Sequence, residues 1–71
     1  MLDAEKVGKT IAQVRRTKKI SQEVLSGLAD IGRTHLSAIE CGERRPTLDT
    51  FCKIAYALEM KGSKLLEMIE Q

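Results

Sequence analysis

The stretch Ser21–Gly42, "SQEVLSGLADIGRTHLSAIECG", decides how this chain of 71 residues folds. Ser21 is a good N-cap, Glu23 sits in the first turn, and Ile20 ahead of the cap can close as a staple against Val24 or Leu25. The spacing predicts a helix over about 22–29 whose apolar face is Val24, Leu25, Leu28 and Ala29, with Gly27 lowering its propensity. After Asp30, Ile31 and Gly32 a second helix is expected over about 33–41, with Leu36 and Ile39 inward and Arg33, Thr34, Ser37 and Ala38 outward. Gly42 supplies its left-handed stop. Two helices this short, joined by three residues, must cross sharply rather than lie antiparallel, which is helix-turn-helix geometry. Ser26 is small where the two come closest, and Ile31 sits apolar at the turn.

Working outward, Ala4, Val7, Ile11 and Val14 recur at helical spacing and predict an amphipathic helix over about 4–18. Its last turn carries Arg15, Arg16, Lys18 and Lys19, which suit the negative end of the helix dipole. Beyond the loop Glu43–Pro46, Thr47 caps a fourth helix whose stripe is Leu48, Phe51, Ile54, Ala55 and Leu58. Lys61-Gly62-Ser63 breaks the chain again, with Ser63 expected to cap a fifth helix over about 63–70. Nothing alternates with period two, so no strand is expected. The fold class is all-α, a compact five-helix domain.

Composition narrows the function. Hydrophobic residues make up 42% and aromatic residues 3%, so the core must be aliphatic. No apolar run approaches the ~18 residues of a membrane span, and "MLDAEKVGKT" lacks the apolar stretch of a secretory signal, so the expected location is the cytoplasm and no membrane contact is expected. Cys41, Cys52 and the single His35 are spaced unlike a metal ligand set; the cysteines read as small, semi-buried thiols, with no disulfide expected in a reducing compartment. No acid–base or nucleophile constellation points to an enzyme, and neither a cofactor nor a small-molecule ligand is expected. Charge is uneven: residues 1–45 hold nine Lys or Arg against six Asp or Glu, net +3, while residues 46–71 hold three against four, net −1. The basic part suits a polyanion.

With these segments in place, the sequence resembles the phage-repressor and Cro type of helix-turn-helix regulator, the xenobiotic-response-element family. The resemblance rests on "VGKTIAQVRR", on the Ser21–Gly42 motif and on "RPTLDTFCKIAYALEM", in that order and spacing. It implies a five-helix, lambda-repressor-like fold in which the second and third helices read DNA. It implies a buried ion pair between Arg15 and Glu40 tying the first helix to the third. It implies a phosphate contact from Gln22, which also braces the recognition helix, and contacts to base edges or adjacent phosphates from Arg33, Thr34, Ser37 and Ala38. Two positions depart from the pattern, with Asp30 at a turn site that is usually Gly and Ser26 at a site that is usually Ala.

Elementary chemistry supports the same assignment. Arg at the start of a groove-inserted helix can donate two hydrogen bonds to guanine O6 and N7. The Ala38 methyl suits a thymine methyl, and Thr34 and Ser37 are short enough for bases or phosphates. Arg44 and Arg45 stand where they can reach backbone or a minor groove, and Lys18 and Lys19 can add affinity that is independent of sequence. His35 is read as packing or a phosphate contact ahead of base reading.

The partner expected is a double-stranded DNA operator bound by a homodimer, because paired half-sites call for paired readers. Leu65, Leu66, Met68 and Ile69, with Leu58 and Met60 beside them, are taken as the dimer interface. "RTHLSAIE" followed by "GERRPTL" resembles the controller proteins of restriction-modification systems. A phage or mobile-element repressor is the close alternative, then an antitoxin, or a protein-interaction module on the same fold.

Overall fold

The computed structural model describes residues 2–71. Five α-helices follow in order, α1 Ala4–Thr17, α2 Gln22–Ala29, α3 Arg33–Glu40, α4 Leu48–Ala57 and α5 Gly62–Glu70. Helix α2 packs on α3 and α4, α1 packs on α3 and α5, and α5 closes against α4. Ile11, Leu25, Leu36, Ile39, Ile54, Leu58, Leu65 and Ile69 are fully buried where these helices meet, an aliphatic core as the composition requires.

Three helices begin at side-chain caps. The Asp3 carboxylate accepts from the Glu5 N–H, the Ser21 hydroxyl from the Val24 N–H and the Thr47 hydroxyl from the Thr50 N–H. Helix α3 starts after Gly32 and α5 after Lys61, neither with a side-chain cap. Ser63 therefore does not cap α5: the helix begins one residue earlier, at Gly62, and takes Ser63 into its first turn.

One closure ends four of the helices. Lys19, Asp30, Gly42 and Glu59 all have positive φ, at 61°, 56°, 80° and 61°. In each case the next residue sends its N–H back to a carbonyl five positions earlier: Ile20 to Arg15, Ile31 to Ser26, Glu43 to Ala38 and Met60 to Ala55. This is the wider of the two hydrogen bonds in a Schellman motif. Ile20, Ile31 and Met60 then pack against the core. The apolar residue after the left-handed one is what makes a costly Lys, Asp or Glu at that site tolerable.

Gly8 sets the approach of α1 to α3. A Cβ there would overlap the carbonyl oxygens of Ile39 and Glu40, so only glycine lets α1 lie against the C-terminal turn of α3.

Several expectations about faces are corrected. Val24 and Leu28 do not join the core of α2; they are 47% and 61% exposed, because both lie on the side turned away from Leu25 and Ala29. Leu48 is 80% exposed rather than part of the buried stripe, since it lies four and eight residues from Cys52 and Tyr56 and the helix carries it onto their edge. Cys41 and Cys52 are exposed free thiols, not semi-buried ones.

The expected dimer interface changes most. Leu58, Leu65 and Ile69 are buried in the core of their own domain, because α5 folds down on α1 and α4 with that stripe inward. They have no surface to offer a second chain. Met60 and Leu66 are half-buried against the core, and Met68, 38% exposed, lies beside Thr10, Gln13 and Val14 of α1.

Candidate nucleic-acid interface

Arg33, Ser37 and Glu40 are spaced to lie along one side of α3, with Thr34, Ala38 and Cys41 on the adjoining strip. Arg33 and Thr34 are exposed, and His35, Ser37 and Ala38 are half-buried. Leu36 and Ile39, both fully buried, hold the helix from beneath. This outer edge is thus mounted on a helix whose opposite face is fixed in the core.

The end of this edge is anchored by a polar cluster. Arg15 Nε donates to Glu40 Oε2 at 2.8 Å and Arg15 Nη2 to Glu40 Oε1 at 3.0 Å, a bidentate pair with side-chain exposures of only 11% and 5%. Arg15 Nη1 also donates to the Ile20 carbonyl at 3.0 Å. The hydrogen bonds to Glu40 hold the guanidinium above its ordinary pKa against the opposing effect of burial. Gln22 Nε2 completes the cluster by donating to Glu40 Oε1 at 2.9 Å. One carboxylate therefore joins the end of α1, the start of α2 and the end of α3. The ion pair was legible from spacing within the resembled family. The bond from Gln22 was not, because its partner lies 18 positions away and only the crossing of α2 and α3 brings the two together.

The loop after α3 borders the same surface. Gly42 needs its positive φ there, and a Cβ would lie 2.9 Å from the Cα of Glu5. Arg44 is exposed, while Arg45 is drawn toward the start of the chain, its Nη1 donating to the Leu2 carbonyl at 3.0 Å. Lys18 and Lys19 are exposed at the α1–α2 turn, three and two residues before the α2 cap Ser21. Basic side chains thus stand at the entry to α2, at the start of α3 and in the loop beyond it, with short polar side chains between.

A second surface was not foreseen. Leu48, Cys52 and Tyr56 form one edge of α4, with Leu48 and Tyr56 80% and 83% exposed. Gly62 lies beside this edge, where an added Cβ would sit 3.5 Å from Cys52 Sγ. Leu66, one turn further along α5, shares a groove of about 310 Å³ with Leu48, Pro46 and Leu2. The four-residue spacing of Leu48, Cys52 and Tyr56 was a readable signal, hidden because the buried stripe of α4 also includes apolar residues close by in sequence.

A family model described as helix-turn-helix matches residues 11–65. The control protein C.BamHI of Bacillus amyloliquefaciens is 39% identical over 61 residues, covering 84% of this chain and 75% of that protein. The ImmF control region 10 kDa protein of Bacillus phage phi105 is 33% identical over 70 residues, covering 99% of this chain and 77% of its own. Among solved structures, the restriction-modification controller protein C.Esp1396I, a tetramer in complex with its natural operator of 35 base pairs, superposes with a TM-score of 0.87 at 30% identity, covering 94% of this chain and 88% of that one. No helix among the described residues is long and apolar enough to cross a membrane. With the motif, its packing and these relatives in agreement, the chain belongs to the helix-turn-helix family.

Proposed function

We propose that the protein is a sequence-specific transcriptional regulator that binds operator half-sites in double-stranded DNA as a homodimer, of the restriction-modification controller kind. The observation that carries this reading is the surface of α3: Arg33 and Thr34 are exposed, and Ser37 and Ala38 partly so, on a helix fixed beneath by Leu36 and Ile39. An interaction module would fill that surface with large apolar side chains. A regulator needs donors at the helix start and small groups along it, so that the helix can enter a major groove. Gln22, the first N–H groups of α3, Arg44, Lys18 and Lys19 then serve the phosphates, which position the reader without informing it. His35, flanking the strip, is assigned a packing or phosphate role. The protein acts without catalysis, and in the cytoplasm, where its DNA is.

The homodimer is assigned to the edge of Leu48, Cys52, Tyr56, Gly62 and Leu66. It is the apolar surface that borders the α3–α4 loop, and a patch of this kind marks an interaction site. The molecule measures 28 × 23 × 21 Å, so two copies side by side suit recognition helices separated by one turn of DNA, about 34 Å.

Control of a restriction-modification operon is favoured over phage repression because C.BamHI is 39% identical against 33% for the phage phi105 protein. The second reading stands on that phage protein's match over 99% of this chain. Selection of bound duplexes from random DNA tests the proposal. An inverted repeat with half-site centres about 10 base pairs apart, or a whole multiple of a turn, is the expected product. Enrichment of no sequence over the starting pool would refute specific reading.

A further inference from the structure

Glu40 does more in this structure than close an ion pair. Its Oε1 accepts from Arg15 and from Gln22 together, at 3.0 and 2.9 Å. A carboxylate only accepts, so the Gln22 amide must turn its nitrogen toward Glu40. That amide has two N–H bonds in one plane, and fixing one fixes the other. The Glu40 side chain is almost wholly buried while Gln22 is half-exposed at the first position of α2, which leaves the second N–H available to a partner at the surface. That surface is the one carrying Arg33 and Ser37, which share their side of α3 with Glu40.

Resting on the DNA-reading proposal, we propose that Glu40 is a positioning residue for DNA: by holding one N–H of the Gln22 amide it aims the other at a phosphate of the bound duplex. A carboxylate this close to DNA would ordinarily repel it. Arg15 removes that objection with a bidentate contact that matches the carboxylate charge for charge. The residues that tie α1 to α3 thereby also set how firmly the protein holds the duplex backbone. Without Glu40, the Gln22 amide is free to rotate, and either its oxygen or its nitrogen can face the phosphate.

The test is a double-substitution cycle on a duplex selected from random DNA by the unaltered protein. Gln22→Ala should weaken binding about tenfold, the scale of a hydrogen bond to a charged group. Glu40→Leu, which leaves no acceptor for the Gln22 amide, should cause a comparable loss, and adding Gln22→Ala to it should change binding less than about twofold, since the amide no longer holds an N–H on the phosphate. Losses that multiply would overturn the proposal. Because Glu40→Leu leaves Arg15 without its ionic partner, the cycle is repeated in an Arg15→Met/Glu40→Leu chain, which buries no charge. Each variant is measured below its own melting transition.

Duplexes carrying one uncharged methylphosphonate at a time supply a readout that a purely structural role would not move. One phosphate should matter to the unaltered protein and cease to matter in both Gln22→Ala and Glu40→Leu. If Gln22→Ala loses that sensitivity while Glu40→Leu keeps it, Glu40 does not position the contact. If the unaltered protein binds no duplex, the DNA reading itself falls, a result separate from an additive cycle.

Discussion

Arg15 makes three hydrogen bonds from a nearly buried guanidinium, two of them to Glu40 and one to the Ile20 carbonyl. Its raised pKa means that the pair's stabilisation is fully present at neutral pH and below the ordinary Arg range, and is lost only as pH climbs through the raised value. Removing one partner leaves the other charged and enclosed. Arg15→Met should therefore cost about 3–5 kcal/mol in urea unfolding, and Arg15→Met/Glu40→Leu should recover most of that loss. A double variant as unstable as the single would show that the pair holds the fold by more than charge compensation. At this scale the sequence was informative where a motif fixes spacing, as with Arg15 and Glu40 or the outward run from Arg33. It was silent where a side chain serves two partners: Gln22 meets Glu40 only because two helices cross, and no local pattern records a crossing.

Helix ends and helix contacts depend on a few backbone positions. Gly8 lets α1 lie on the last carbonyls of α3, so Gly8→Ala should destabilise the domain by at least about 1–3 kcal/mol as the helices are pushed apart. Glu59 sits at φ 61° where glycine would be unstrained, so Glu59→Gly should stabilise by about 1 kcal/mol. Thermal melts of the two variants should move in opposite directions, and a gain from Gly8→Ala would contradict the packing described for α1. The five helices and most of their limits were legible from caps and periodicity. The side each apolar residue takes was less so, because Val24, Leu28 and Leu48 fit a helical stripe within a residue or two of buried ones. Only the placement of neighbouring helices decides that Leu25 and Ala29 go in while Val24 and Leu28 stay out.

On the scale of the whole molecule, the apolar residues divide between a buried core and an exposed edge. Leu65 and Ile69 belong to the core, so Leu65→Asp should unfold the protein rather than separate a dimer. Leu48 and Tyr56 lie on the surface, so Leu48→Asp or Tyr56→Asp should leave the fold intact and give monomers in sedimentation. A folded monomer from Leu65→Asp, with Leu48→Asp still dimeric, would move the interface back to α5. The amphipathic stripe of α5 was plain in the sequence; its use was not, since a stripe facing the parent domain and one facing a second copy have the same period. Net charge is equally ambiguous, and binding that weakens steeply with salt would show that the basic residues around α2 and α3 meet phosphates.

The most direct test of the recognition surface is the affinity and base preference of Arg33→Ala, compared with the unaltered protein on a selected duplex at fixed salt. Reading of a major groove by α3 predicts a loss of about 1–3 kcal/mol together with relaxed choice at one base pair in each half-site. Unchanged affinity and unchanged base preference would contradict it.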